Sequence, residues 1–221
     1  MKLTVFGPTG RIGQQLVAQA LAAGHDVTAV VRATSAPVPG ARTVTVDLAD
    51  HDPALLAPAV AGADAVLSAL GPRRRAEHGI VSAGTRRIVA AMQATGARRL
   101  VVVSGVGVAT VPVPGRPRPP RREPGTGFRM QYVTVPLIRR VLGGHFVDVA
   151  LMEHDLERCD LDWTIMRVPR VTDEPPTGRV RTAYDRPLRA ALRIGRADAA
   201  ALMLHLATRS DLARTVVTAA S

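Results

Sequence analysis

This chain of 221 residues has one cysteine, one lysine and few aromatic residues, and each scarcity removes a class of function. A single cysteine, Cys159, can form neither an internal disulfide nor a cysteine metal cluster. Aromatic residues are 3% of the chain, so platforms for stacking single-stranded bases are missing. No apolar run approaches the roughly 20 residues of a membrane span. The chain enters a strand pattern at Leu3, so no signal peptide is expected. A soluble, cytoplasmic protein is expected. No His, Asp or Glu spacing suggests a metal site. Lysine occurs only at Lys2, so the net charge of +11 is carried almost wholly by arginine.

That charge has two readings. One is binding to a nucleic-acid backbone. The other is a compositional preference for arginine over lysine, and it fits better. The arginines fall in pairs across many elements (Arg86-Arg87, Arg98-Arg99, Arg139-Arg140), and no nucleic-acid motif accompanies them. A small-molecule partner, acidic or planar, is expected, with no nucleic acid and no membrane, in a monomer or small homo-oligomer. Hydrophobic residues make up 47% of the chain, enough for one core built from Ala, Val and Leu.

The richest segment is the first thirteen residues. A short apolar strand, Leu3 to Phe6, runs into Gly7-Pro8-Thr9-Gly10-Arg11-Ile12-Gly13 and on into a helix pattern. This is the spacing of a dinucleotide-binding turn. Gly7 allows the tight turn, Gly10 lets backbone N–H groups approach a pyrophosphate, and Gly13 allows close helix packing. An NAD-type site would place a carboxylate about 20 residues later, on the ribose hydroxyls. Here Val31-Arg32 stands there, and no carboxylate follows until Asp47. A guanidinium pairs with a 2′-phosphate, whereas a carboxylate repels it. The expected cofactor is NADP(H), with Arg32 on the 2′-phosphate and Arg11 assisting. A solvated strand-end arginine is the plainer alternative for Arg32.

Strand and helix patterns alternate along the rest of the chain. They predict a single α/β domain over 1–221, a Rossmann-like doubly wound parallel sheet with helices on both faces. Helices are expected over 11–23, 53–60, 79–95, 129–142, 147–158 and 196–207. Strands are expected over 26–31, 42–46, 65–70, 100–104, 162–168 and 215–219, with a hairpin or extended piece over 177–184. Residues 107–127 hold prolines and arginines at a density that forbids helix or central strand. This long loop follows a strand's carboxyl end, the substrate side of such sheets. Either a basic lid over an acidic substrate or a solvated loop satisfies the composition.

Together these motifs resemble the atypical short-chain dehydrogenase/reductases of the NAD(P)-binding, NmrA-like group, in the branch of biliverdin reductase B, the NADPH-dependent flavin reductase. The matching stretches are Gly7–Gly13, Val30-Val31-Arg32, Ala63 to Gly71, Leu161 to Arg167 and Thr177-Gly178. Pro8 stands where alanine is usual, and Arg167-Val168-Pro169 replaces Arg-Pro-Pro. The resemblance implies Thr9, Gly10, Arg11 and Ile12 on the pyrophosphate and Arg32 on the 2′-phosphate. It further implies Asp47-Leu48 around the adenine and Ala69-Leu70-Gly71 beneath a ribose. Ser104-Gly105 would lie near the nicotinamide, and Pro169-Arg170-Val171 near its carboxamide.

The Tyr-x-x-x-Lys pair of most short-chain dehydrogenases cannot exist here, because Tyr132 is followed by Pro136 and the sole lysine is Lys2. Hydride transfer to a flavin, quinone or conjugated tetrapyrrole needs geometry and exclusion of water, with a proton from solvent. Ser104 is the candidate polar group beside the acceptor, or else a hydroxyl closing a buried strand. His154, in Glu153-His154-Asp155, is the candidate proton donor, or else a surface histidine. Glu153 and Asp155 lie about 200° apart on a helix, so the three cannot converge. His78 and His145 have weaker claims, and Cys159 reads as a packed thiol. Two alternatives to a reductase stay open: an NmrA-like NADP(H) sensor without turnover, and a non-redox tailoring enzyme (epimerase, cyclase or isomerase).

Overall fold

Alternation of side chains along the central strands sorts the apolar residues onto two faces, and each face carries its own helices. On β5 (Arg99–Gly105), Leu100 and Val102 face one core and Val101 the other. On β4 (Ala65–Ser68), Val66 faces the first and Ala65 and Leu67 the second. Strands buried on both faces read as continuous apolar runs, as these do. The computed structural model describes residues 1–48, 52–72, 79–115, 118–120 and 135–221.

An eight-stranded sheet has the order β3-β2-β1-β4-β5-β6-β10-β8. Its other members are β1 (Lys2–Phe6), β2 (Asp26–Val31), β3 (Arg42–Thr45), β6 (Asp162–Val168), β8 (Arg181–Tyr184) and β10 (Thr215–Ala220). Every pairing is parallel except that of β10 with β8. A separate parallel pair joins β7 (Arg170–Thr172) to β9 (Arg193–Gly195). Helices α2 (Ala57–Val60), α3 (Ile80–Thr95) and α4 (Val135–Glu157) cover one face, and α1 (Arg11–Ala22) and α5 (Arg196–Ala207) the other. On α1 the buried residues Gly13, Leu16, Val17 and Ala20 fall at the helical spacing of a single stripe. The doubly wound expectation holds.

Three local expectations change. Of the two helices predicted over 129–142 and 147–158, residues 135–157 form one continuous helix, α4, which runs through Gly143-Gly144, and residues 129–134 lie outside the described residues. Two helical glycines cost about 1 kcal/mol each. Burial of Val149, Ala150, Met152 and Leu156 outweighs that cost. The strands β7 and β9 carry no periodic signal in the sequence, because three residues are too few to show one. The 107–127 loop is not solvated throughout: Val108, Val111 and Val113 are buried in the core shared with α4. Residues 116–117 and 121–127 of it lie outside the described residues, as do His78 and Tyr132.

α3 begins in an unusual way. Its N-cap, Gly79, has φ +91° and no side chain with which to cap. The cap comes instead from α4. The carboxylate of Asp148 accepts from the backbone N–H groups of Gly79, Val81 and Ser82 at 3.1, 3.0 and 2.9 Å. A buried carboxylate there satisfies donors that a helix start leaves open and complements the helix dipole. It also fixes α4 against α3.

Candidate cofactor and active site

The carboxyl ends of β1, β2, β3 and β4 bring the predicted cofactor residues to one edge of the sheet. Phe6 pairs with Val30 and Ser68, so Gly7, Arg32 and Ala69-Leu70-Gly71 leave neighbouring strands together. Asp47 and Leu48 leave β3 beside them. Gly7 and Gly13 are held by contacts that allow no side chain, and Gly10 by a tight one. Gly7 has φ +73°, and a Cβ there would lie 2.7 Å from the Ala69 carbonyl oxygen. A Cβ on Gly13 would lie 2.0 Å from the Gly7 carbonyl oxygen, and one on Gly10 3.2 Å from it. The Gly10 N–H donates to the Gly7 carbonyl at 3.0 Å, closing the turn, and Ala69 N–H donates to Phe6 at 3.0 Å.

No side chain caps the N-terminus of α1, whose N-cap is Gly10. The first-turn N–H groups of Arg11, Ile12 and Gly13 therefore belong to the open end of a helix, beside Thr9. Such an end presents unpaired donors and a dipole that favour an anion. The turn lies tight against β4 and the first turn of α1 because Gly7 and Gly13 carry no Cβ, which leaves the first-turn N–H groups close to the strand ends. The Leu48 side chain is 6% exposed and packs with Leu70 over Gly84 of α3, so Leu48 can offer the adenine site little beyond its backbone. Burial beside Leu70 is the reason.

Beyond β4 the site is made by side chains. Ser104 is the penultimate residue of β5, opposite Arg167 of β6, and Gly105 ends the strand opposite Val168. The Ser104 hydroxyl donates to Glu153 Oε1 at 2.5 Å. Arg167 binds the same carboxylate twice, Nε to Oε1 at 2.9 Å and Nη2 to Oε2 at 2.5 Å. Glu153 is fully buried. Ser104 is thus brought to the expected edge, but the α4 residue that meets it is Glu153. His154 instead packs against Gly115 and lies 3.4 Å from Arg158. Asp155 pairs with Arg86 at 2.7 Å. Adjacent helix positions point about 100° apart, which sends the three to three different partners. His154 as proton donor beside Ser104 is the reading that this geometry does not support.

Pro169, Arg170 and Val171 carry the chain from β6 into β7, at the same edge. The segment that follows is anchored by Asp198 in the first turn of α5. Its carboxylate accepts from the Thr177 hydroxyl at 2.8 Å and from the N–H groups of Thr177 and Gly178 at 3.1 and 3.2 Å. Burial pushes the Asp198 carboxyl up, but the hydrogen bonds from Thr177 and Gly178 outweigh it and hold the group below its ordinary value. At the opposite edge Arg99 is buried and donates to the carbonyls of Asp162 and Leu206 and to the Thr164 hydroxyl. Its neighbour Arg98 pairs with Asp162 in solvent, so one Arg-Arg pair serves two unlike roles. Burial pushes the Cys159 thiol up, as suits a packed cysteine.

Glu153, Arg167, Asp148 and Asp198 were missed as a framework. A signal existed for the first two. Glu153 falls on the buried face of α4 with Val149, Ala150 and Leu156. Arg167 falls on the same side of β6 as Trp163 and Ile165. Two opposite charges at core-facing positions must meet each other. Among the described residues no group of three or more His, Cys, Asp and Glu could hold a metal ion, and no helix is long and apolar enough to cross a membrane.

Comparison with known proteins agrees with this geometry. A family model described as NAD(P)H-binding matches residues 7–210. A 3-diazoavenalumate denitrifying reductase of a Streptomyces species is 35% identical over 47% of this chain and 38% of its own length. This chain therefore spans well under half of that relative. A Burkholderia pseudomallei protein of solved structure is 30% identical over the whole of both chains, with a TM-score of 0.73. The anaerobilin reductase ChuY of Escherichia coli O157:H7 shares the fold at 21% identity, covering 100% of this chain and 97% of its own, with a TM-score of 0.75. A Streptococcus pneumoniae protein, provisionally described as an NADH-flavin reductase, shares it at 20% identity, covering 100% and 99%, with a TM-score of 0.76.

Proposed function

The chain belongs to the NAD(P)H-binding family, and from that premise we propose that it is an NADPH-dependent reductase that passes hydride to a flavin, a quinone or a related conjugated molecule. The observation that carries this reading is the glycine cradle with Arg32 at the next strand exit and no carboxylate in its place. Gly7, Gly10, Gly13 and the first turn of α1 would hold the pyrophosphate, and Arg32 and Arg11 the 2′-phosphate. Asp47 and Leu48 would flank the adenosine half, and Ala69-Leu70-Gly71 would pass beneath the adenosine or nicotinamide ribose. Ser104, Gly105 and Pro169-Arg170-Val171 would flank the nicotinamide half. Bound NADPH would supply the hydride.

The acceptor class follows from what the site lacks. Lys2, the sole lysine, opens β1 at the opposite edge of the sheet from Gly7, about 16 Å away at 3.3 Å per residue. No Tyr–Lys pair can protonate a simple carbonyl there. Conjugated acceptors need no such pair, and the reductase names carried by the Streptomyces, E. coli and S. pneumoniae relatives support that choice. The small-molecule partner is favoured over nucleic acid because many arginines are already engaged, as in Arg86–Asp155, Arg98–Asp162 and Arg193–Glu174.

Absorbance of NADPH followed with FMN, riboflavin and a quinone panel, and with NADH in parallel, tests the proposal. Saturable turnover with NADPH and weak turnover with NADH is the expected result. Tight NADPH binding without acceptor-dependent oxidation would favour an NADP(H) sensor or a non-redox tailoring enzyme instead.

A further inference from the structure

The hydroxyl of Ser104 has a direction, and that direction decides what chemistry it can do. Ser104 and Arg167 are register partners at the carboxyl ends of β5 and β6. Glu153 descends on both from α4, and its side chain is 0% exposed against 15% for Arg167. A serine hydroxyl has one proton and two lone pairs. At 2.5 Å the proton is directed at Glu153 Oε1. The carboxylate is held by two further charge-assisted bonds from Arg167, so its own orientation is fixed. What Ser104 has left to offer is lone pairs.

We propose that Glu153 and Arg167 are positioning residues that fix the polarity of Ser104, so that Ser104 accepts an N–H hydrogen bond from the ligand over the strand ends and gives no proton to the substrate. This rests on the dinucleotide site proposed above. In a sheet ordered 3-2-1-4-5-6, β1 to β3 take the adenosine half and β4 to β6 the other half. The N–H donor that this half of the cofactor carries is the carboxamide NH2 of the nicotinamide. The proton balance follows. The acceptor gains hydride from the nicotinamide C4 and a proton from water. The products are NADP+, the reduced acceptor and a hydroxide that buffer neutralises, and Ser104 and Glu153 end with the protons they began with.

The test compares binding of NADPH with that of its reduced 3-acetylpyridine analogue, in which a methyl replaces the carboxamide NH2. Wild type should prefer NADPH by about three- to tenfold, the weight of one hydrogen bond. Ser104→Ala should still bind NADPH but show no preference, and Ser104→Thr, which keeps the hydroxyl, should retain it. Glu153→Gln should lose the preference while NADPH still binds and Ser104 is present, whereas a merely structural role for Glu153 would cost NADPH binding itself. The kcat pH profile with FMN should keep its shape in Ser104→Ala. An undiminished preference in Ser104→Ala, or loss of an ionisation from its kcat profile, would overturn the proposal and leave the reductase reading intact. Failure of wild type to bind either nucleotide would overturn both.

Discussion

The two halves of the candidate site are built by opposite means. From β1 to β4 the cradle is backbone: glycines with no space for a Cβ, strand exits in register and an open helix end. From β5 to α5 it is side chains reaching across the fold: Ser104 to Glu153, Arg167 to Glu153, Asp198 to Thr177. The glycine turn of the first half is encoded in the consecutive residues Gly7–Gly13, and parallel register brings Ala69 over it from β4. A side-chain site needs partners 14 to 49 residues apart and fails when any one is lost.

The largest expected effect lies in the second half. Glu153→Ala leaves the largely buried Arg167 guanidinium without its carboxylate, and breaking such a pair costs about 3–5 kcal/mol. Urea unfolding should show it, and a loss below about 1 kcal/mol would mean that the side-chain half is not a cooperative unit. Gly13→Ala probes the first half equally hard. Its Cβ would lie 2.0 Å from a backbone oxygen, so α1 must shift. About 3 kcal/mol of stability should go, the upper end for overpacking, together with cofactor binding by calorimetry.

Arg32→Ala should be quieter in the fold. It should weaken NADPH binding by about 1.5–3 kcal/mol, the range for hydrogen bonds to a charged group, and leave NADH nearly unchanged. Equal loss for both cofactors would remove the 2′-phosphate role. Asp198→Asn should cost about 1–2 kcal/mol at neutral pH. The folded Asp198 titrates below its unfolded value, so its contribution is complete above about pH 4 and fades as pH falls through the folded pKa. Acid unfolding should accordingly be less steep in the variant. His154→Ala should change kcat and stability least, by about 1 kcal/mol or less, since His154 is only half-buried against Gly115. A larger fall in kcat would restore His154 to the chemistry.

The same contrast explains what could be read from the chain. Gly7–Gly13 and the exits at Arg32, Asp47 and Ala69 were legible because a turn, a strand and a helix are local and periodic. The run of α4 through Gly143-Gly144 was not, because local propensity argued for a break and tertiary burial overrode it. His154 stood out as a titratable residue near a strand, but a helix position one residue away decided which side chain reached Ser104. Asp148 as the cap of α3 had no local signal at all, since donor and acceptor are 66 to 69 residues apart.

By itself the sequence determined the layered α/β architecture and the glycine turn between β1 and α1, because both follow from short-range periodicity and a local run of glycines. It also contains no Tyr-x-x-x-Lys motif, since Lys2 is its one lysine. Only the tertiary structure decided that Glu153 meets Ser104 and Arg167, that Asp148 closes α3 and that Asp198 anchors Thr177-Gly178. Those pairings are set by how α4 and α5 lie on the sheet, and that packing is a property of the whole core rather than of any stretch within it.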